Sequence, residues 1–212
     1  MGNFTHEFGN RSTPLEKYEW DNVWWDSTDD SDTPRVLYIG DSISCGTRHV
    51  ATRASEGSLL FDGLGTSKAV DNPYFAETVR IFAKQQGSRA AVLFNNGLHG
   101  YHLDVASYRE HYEKMIQFLL REFEGTPILL VLTTAVCDEE ENELVIARNK
   151  AVSELAAQYK LPIVDLYTVV DQHRDLISPD GVHLLADGYE LLAKELVRAV
   201  QGAVSKSSKG NP

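Results

Sequence analysis

The chain is poor in cysteine, in basic residues and in long apolar runs. Its 212 residues include only two cysteines, too few for a disulfide framework, which indicates a reducing compartment. Lys and Arg number 20 against 31 Asp and Glu, and the net charge of −11 would repel nucleic acid and anionic membranes. No apolar run approaches the roughly eighteen residues of a membrane span, and no secretory signal is visible at the amino terminus. We therefore expect a cytoplasmic protein that neither spans a membrane nor binds nucleic acid.

The chain does have the length and composition of one globular domain. Apolar residues make up 42% and charged residues 24%, which are ordinary values for a full-sized core. Residues 1–33 form an acidic extension, 34–202 the main domain and 203–212 a frayed tail. All three tryptophans lie in the extension: Trp20, Trp24 and Trp25. We expect their rings to pack on the main domain as a lid or edge segment; an aromatic wall for a sugar ring and an oligomer contact are alternatives.

Strand and helix patterns alternate after Pro34. Short apolar runs predict five strands, near residues 36–39, 58–61, 90–94, 127–132 and 162–166. Helical spacing separates them, with helices predicted after Asp104, over 143–159 and from about Asp187 to Gly202. This alternation predicts a three-layer α/β/α fold with a mostly parallel sheet. Because ligands bind at the carboxyl ends of such strands, the residues after each strand are the candidates for chemistry.

Two expectations concern the region after the fourth predicted strand. Residues 138–141 are acidic and are expected to form a solvated loop. Arg148 and Asn149 are expected to face outward from the next helix, or to cap contacts near it.

The first predicted strand runs directly into Gly40-Asp41-Ser42. Glycine allows a sharp turn, and a serine that starts the following helix presents its hydroxyl above the sheet. Its N–H then lies at a helix amino terminus, which favours developing negative charge. Turns use these three residue types widely, so the triplet alone is a weak sign of catalysis.

A second candidate group, Asp180-Gly181-Val182-His183, precedes the last helix. An imidazole takes a proton from a serine only when its other nitrogen is held and its positive charge is stabilised. A carboxylate three residues upstream could do both. Taken alone, Asp180 could equally be a turn residue and His183 a half-buried packing residue.

Polar residues also follow the third predicted strand, in the run from Asn95 to Gly100. Amide and imidazole donors here would lie beside Ser42 and could bind an oxyanion; an Asn-Gly turn is the alternative. His99 and His102 have metal-compatible spacing, but no cysteine or carboxylate cluster completes a site. We therefore expect neither a metal nor a cofactor.

Taken together, these groups resemble the SGNH or GDSL hydrolase family over residues 35–200. Gly40-Asp41-Ser42 matches the nucleophile block, and Asp180-x-x-His183 matches the final block. Residues 97–100 fall where the family usually carries Gly-x-Asn-Asp, and F-N-x-G-L-H here is similar to branches associated with carbohydrate de-esterification. The resemblance implies a flavodoxin-like parallel five-stranded sheet, in the order 2-1-3-4-5, and serine esterase chemistry.

The resemblance also implies a role for each matched residue. Ser42 would be the nucleophile, His183 the general base and Asp180 its orienting carboxylate. The N–H groups of Ser42 and Gly65, with Gly63 the next match, would bind the oxyanion. A side chain would assist, His99 first and Asn95 second. A further set is expected to contact the substrate: Asp41, Asn96, His102 and Trp24.

These assignments predict a metal-independent serine esterase. It would remove a small acyl group, such as acetyl, from a carbohydrate or other polar alcohol through an acyl-enzyme. One alternative keeps the same machinery for longer acyl chains, as in a lysophospholipase or thioesterase. Another is a non-catalytic ligand-binding module, which the replaced oxyanion asparagine favours. The expected partner is a small-molecule or saccharide ester, and the protein could also form an oligomer.

Overall fold

The computed structural model describes residues 14–207. Within them, six strands form one sheet in the order β1-β3-β2-β4-β5-β6. The strands are β1 (Asp21–Trp24), β2 (Arg35–Gly40), β3 (Leu60–Thr66), β4 (Ala91–Phe94), β5 (Ile128–Val131) and β6 (Ile163–Val164). The helices are α1 (Ser42–Ala54), α2 (Phe75–Gln86), α3 (Val105–Glu122), α4 (Glu139–Tyr159), α5 (Leu166–Asp171) and α6 (Ala186–Ser207), with a 3₁₀ turn at Arg174–Leu176.

Helices cover both faces of the sheet. The central strands β2 and β4 are apolar over most of their length because alternate side chains enter two different cores. Val36 and Tyr38 of β2 pack towards α1 and α6, while Leu37 and Ile39 pack towards α2 and α3. This arrangement confirms the predicted three-layer α/β/α fold. None of the described helices combines the length and hydrophobicity of a membrane span.

The sheet has one strand more than predicted, because the described part of the extension joins it. β1 pairs antiparallel with β3, with Asp21 opposite Thr66 and Trp24 opposite Gly63, whereas β2 to β6 are parallel. Without β1, the strand order is the implied 2-1-3-4-5. β1 covers an edge that would otherwise expose unpaired backbone groups. Residues 1–13 of the predicted extension lie outside the described residues.

The second and third tryptophans take different places along this edge. Trp25 stacks on Phe82 of α2, with ring centroids 4.2 Å apart and planes 3° apart. Trp24 lies instead on the α1 side, where the guanidinium of Arg48 is 5.8 Å from its ring centroid. Trp25 therefore packs on the main domain, as the edge-segment interpretation predicted.

Two helix boundaries differ from the predictions. The expected solvated loop at 138–141 is the start of α4: Asp138 caps the helix, and its carboxylate accepts the N–H of Glu141 at 3.0 Å. Acidic residues suit this position because they face the positive end of the helix dipole. α6 continues past Gly202 to Ser207, and Ala203 and Val204 pack against the core. Of the predicted frayed tail, residues 208–212 lie outside the described part of the chain.

Candidate active site

Ser42 is the first residue of α1, directly after the end of β2. Asp41 caps the helix, and its side chain accepts the N–H of Ile43 at 2.9 Å. The cap fixes the start of the helix, so the Ser42 N–H is one of the amides without an intrahelical acceptor. Asp41 itself is buried. Its side chain therefore holds the helix start, and this placement does not support the predicted substrate contact.

His183 links the first and last sequence groups through hydrogen bonds. Its Nε2 lies 2.8 Å from Oγ of Ser42, and its Nδ1 lies 2.8 Å from Oδ2 of Asp180. A proton on Nδ1 would be donated to the carboxylate, which leaves Nε2 free to accept from the serine hydroxyl. Ser42 and the Asp180–His183 pair, which lies about 140 positions later in the sequence, thus form one continuous chain of hydrogen bonds.

The second oxygen of Asp180 fixes the turn that carries His183. Oδ1 accepts from the Ser178 hydroxyl at 2.8 Å and from the N–H groups of Val182 and His183 at 2.9 Å each. Partial burial opposes ionisation, but these bonds and the His183 ring outweigh it and hold the pKa of Asp180 well below its ordinary value. The carboxylate therefore stays charged beside His183 at neutral pH.

The two asparagines of the third group direct their amides elsewhere. Nδ2 of Asn95 donates to the Val131 carbonyl at 2.9 Å and to Oγ1 of Thr133 at 3.1 Å. Nδ2 of Asn96 donates to the Lys68 carbonyl at 2.7 Å. Buried amides need partners, and both donors of Asn95 are used to join β4 to the end of β5. The structure thus contradicts Asn95 as an oxyanion donor and makes Asn96 a loop anchor instead of a substrate contact.

His99 is the remaining side-chain candidate from this group. It is buried, and its ring meets Trp20 edge-on, with centroids 6.1 Å apart and an interplanar angle of 74°. Oε1 of Glu16 lies 3.9 Å from its Nδ1. The extension therefore contributes Trp20 and Glu16 to the surroundings of His99, a contact that the sequence pattern did not identify.

The N–H of Gly65 does not point towards Ser42, contrary to its predicted role in the oxyanion hole. Gly65 lies within β3, between Gly40 of β2 and Asn22 of β1. The N–H of Ser67 donates to the Trp20 carbonyl at 3.1 Å, and alternate residues of an antiparallel ladder point their amides to the same side. The Gly65 N–H therefore faces β1 and not Ser42. Gly63, the alternative match, lies two residues earlier in β3, so its N–H also faces β1.

Gly65 is nevertheless required for packing. A Cβ at this position would lie 2.1 Å from Sγ of Cys45 and 3.3 Å from the carbonyl oxygen of Asp41. The missing side chain lets α1 approach β3 closely, which positions the turn before Ser42.

Arg148 holds the loop that carries His99, contrary to the expectation that it faces outward. It is 0% exposed and donates to four carbonyls: Gly97 at 2.9 Å, His99 at 2.8 Å, Gly100 at 2.7 Å and Leu103 at 3.4 Å. Burial lowers the pKa of Arg148, but an arginine so bonded stays charged. A sequence signal existed, because Val145 and Val152 place this position on the apolar face of α4.

Glu16 holds the same loop from the other side. Its Oε1 accepts the N–H of Gly100 at 2.8 Å. Gly100 has φ +72°, and a Cβ there would lie 2.8 Å from that of Ala69, so only glycine fits without strain. A cation and an anion from two distant elements thus fix the backbone on both sides of Gly100.

The remaining predicted contacts do not join the triad. Nε2 of His102 lies 2.6 Å from Oδ2 of Asp71, so this side chain ties two loops together. Trp24 lies beside Arg48, two helical turns along α1 from Ser42. Across residues 14–207, no three His, Cys, Asp or Glu side chains form a group that could hold a metal ion.

Comparison with known proteins gives matches by structure alone. No protein-family model and no curated protein matches the chain. The lipase/acylhydrolase from Enterococcus faecalis matches with a TM-score of 0.65 and 19% identity, over 80% of this chain and 96% of that one. An acetyl xylan esterase matches with a TM-score of 0.63 and 18% identity, over 78% and 99%. A lipolytic G-D-S-L family member from Veillonella parvula matches with a TM-score of 0.65 and 17% identity, over 78% and 97%.

These matches span almost the whole of each known structure and most of this chain. In this chain, the α/β/α layers around a mostly parallel sheet position Ser42 at the carboxyl end of β2. The chain therefore has the fold of the SGNH, or GDSL, hydrolases.

Proposed function

We propose that this protein is a serine esterase that removes a small acyl group, such as acetyl, from a carbohydrate. The observation that carries the proposal is the position of His183, whose two ring nitrogens each lie 2.8 Å from an oxygen of Ser42 or Asp180. This is the arrangement that activates a serine hydroxyl for attack on a carbonyl.

The reaction follows from these positions. His183 accepts the hydroxyl proton at Nε2 as Oγ of Ser42 attacks the ester carbonyl, and Asp180 stabilises the imidazolium. The tetrahedral intermediate collapses when His183 returns that proton to the leaving alcohol, which leaves an acyl-serine. Water then gives a proton to His183 and attacks the acyl carbonyl, and the carboxylic acid departs as Ser42 regains its proton.

The oxyanion needs hydrogen-bond donors that are already in place. The Ser42 N–H supplies one, because it lies at the amino terminus of α1. We assign His99 as the side-chain donor, since the amide nitrogens of Asn95 and Asn96 donate to other groups. Each donor is worth about 3 kcal/mol of the barrier in comparable sites.

The choice of a small acyl group is supported by a likeness in fold. One protein of similar fold is an acetyl xylan esterase. Another protein of similar fold is a lipase/acylhydrolase, so a longer-chain acyl hydrolase is the alternative.

The test is hydrolysis of p-nitrophenyl acetate by the wild type and by Ser42→Ala. We expect kcat to fall by at least about 10³-fold, since the nucleophile and base act as a unit. Ser44→Ala is the matched control: its hydroxyl, in the same turn, donates to the Asp41 carbonyl, and its removal should leave kcat nearly unchanged. Equal rates for Ser42→Ala and the wild type would refute the nucleophile assignment.

Two measurements separate the alternatives. Each buried methylene adds about 0.8 kcal/mol in an apolar acyl pocket, so a faster reaction with p-nitrophenyl octanoate than with the acetate would favour the longer-chain enzyme. A fluorophosphonate should label Ser42 of an active esterase, whereas a non-catalytic binding module would leave this serine unmodified.

A further inference from the structure

A groove runs along α1 away from Ser42. It has a volume of about 670 Å³, and its lining includes Asn22, Trp24, Cys45, Arg48, His49 and Thr52. β1 forms one wall and α1 the other, so the groove exists only because the extension adds a strand beside β3. Its size falls in the range of ligand sites, about 300–1,000 Å³.

The groove is continuous with the helix face that carries the nucleophile. Cys45 and His49 follow Ser42 at spacings of three and seven residues, which places all three on one side of α1. A rise of about 1.5 Å per residue puts His49 about 10 Å from Ser42 along the helix axis. A chain attached to an acyl group at Ser42 would therefore meet this groove one helical turn away.

The walls present the groups that bind sugars. Trp24 is 45% exposed although it is a large aromatic, and such a ring offers a flat surface for the C–H face of a sugar. The Arg48 guanidinium 5.8 Å from its centroid holds the ring in place. Asn22 and the exposed His49 add hydrogen-bonding groups for hydroxyls.

The charge of the lining favours a neutral ligand. Nη2 of Arg48 is 2.5 Å from Oδ1 of Asn22, and its Nη1 donates to the Gly63 carbonyl at 3.2 Å. Arg53 pairs with Glu190 of α6 at 3.5 Å. Both arginines of the groove are thus already partnered, so the lining does not present the array of cations that a polyanionic chain would require.

From these observations we propose that the groove between β1 and α1 binds the saccharide chain that carries the acyl group, and that the chain is a neutral oligosaccharide. This inference rests on the proposed esterase function and names its substrate class. Trp24 acts here as a specificity residue for the leaving group, at a distance from the reacting atoms.

The kinetic test compares p-nitrophenyl acetate with acetylated xylo-oligosaccharides of one to five units. We expect kcat/KM to rise with chain length in the wild type. Trp24→Ala should raise KM for the longer substrates by about 10- to 100-fold and change hydrolysis of p-nitrophenyl acetate less than twofold. Trp24→Phe should restore part of the loss, because it keeps an aromatic surface.

Ile81→Ala is the matched control, since Ile81 is 53% exposed and lies on α2, on the other face of the sheet. It should leave both substrate classes unaffected. Equal losses in Trp24→Ala and Ile81→Ala, or a wild-type rate independent of chain length, would overturn the proposal. Faster turnover of an acetylated oligouronide than of the neutral chain would overturn the neutral-ligand assignment.

A binding measurement separates this inference from the esterase proposal. Unacetylated xylopentaose is titrated by calorimetry into Ser42→Ala and into the double variant Ser42→Ala, Trp24→Ala. Binding to the first and a tenfold or greater loss in the second supports the groove even if the protein hydrolyses no ester. Equal binding to both, or none to either, refutes the groove assignment, while hydrolysis by the wild type and its loss in Ser42→Ala would still support the esterase.

Discussion

The substitution Asp180→Asn tests the triad, because it replaces one carboxylate oxygen beside His183 by an NH₂ group. Oδ1 of Asp180 accepts three donors, from Ser178, Val182 and His183, so the carboxamide oxygen of an asparagine will take that position. Its NH₂ group then replaces Oδ2, 2.8 Å from Nδ1 of His183. Because this amide can only donate, Nδ1 must accept and the ring proton moves to Nε2.

A proton on Nε2 prevents His183 from accepting the Ser42 proton across the 2.8 Å contact. We expect kcat for p-nitrophenyl acetate to fall by about 10⁴-fold, equivalent to about 5.5 kcal/mol of barrier. Asp165→Asn is the control, since Asp165 accepts from Thr168 at the start of α5, in a similar turn outside the triad. A kcat for Asp180→Asn within tenfold of the wild type would refute this account of the His183 tautomer.

Three further predictions concern stability. The lowered pKa of Asp180 contributes stability that is present above the ordinary carboxyl pKa of about 4 and is lost as pH falls towards the lower folded value. The difference in unfolding free energy between the wild type and Asp180→Asn should therefore narrow below pH 4. A difference that stays constant with pH would contradict this prediction. Arg148→Lys keeps the charge but cannot reach all four carbonyls. Each carbonyl left without a donor costs about 1–3 kcal/mol, so Tm should fall by roughly 5–20 °C, and a shift below 2 °C would contradict the clamp. Gly65→Ala places a Cβ against Cys45 and should lower the free energy of unfolding by about 1–3 kcal/mol. Adding Cys45→Ala should recover part of this loss, as measured by denaturant unfolding. If the losses of the two single variants simply add in the double variant, the clash is refuted.

The layered fold could be predicted because its signals are local. The apolar runs of β2, β4 and β5 are the pattern of strands buried on both faces, and the caps at Asp41 and Asp104 mark helix starts in the sequence itself. The order of Ser42, the third group and Asp180 with His183 could also be read directly, since each follows a strand or precedes a helix. The structure places Ser42, Asp180 and His183 within hydrogen-bond distance.

The predictions that failed concern atoms whose partners are distant in the sequence. Asn95 has the right residue type and strand end for an oxyanion donor, but its amide bonds to β5 and the residues after it, 36 and 38 positions away. The Gly65 N–H points to a strand formed by the extension, and a residue pattern does not state which side of a strand acquires a new neighbour.

Arg148 is the clearest example of a prediction that failed because the partners of a side chain are distant in the sequence. Its sequence position on the apolar face of α4 was visible, but a buried arginine is tolerated only where enough acceptors converge on it. Those acceptors are backbone carbonyls of the loop after β4, about fifty residues earlier in the chain. The sequence by itself determined the layers, and its family resemblance implied the order of the five parallel strands and the meeting of Ser42, Asp180 and His183. Only the tertiary structure decided which donors face that edge, because hydrogen-bond direction and the cost of burying charge depend on neighbours that the fold alone brings together.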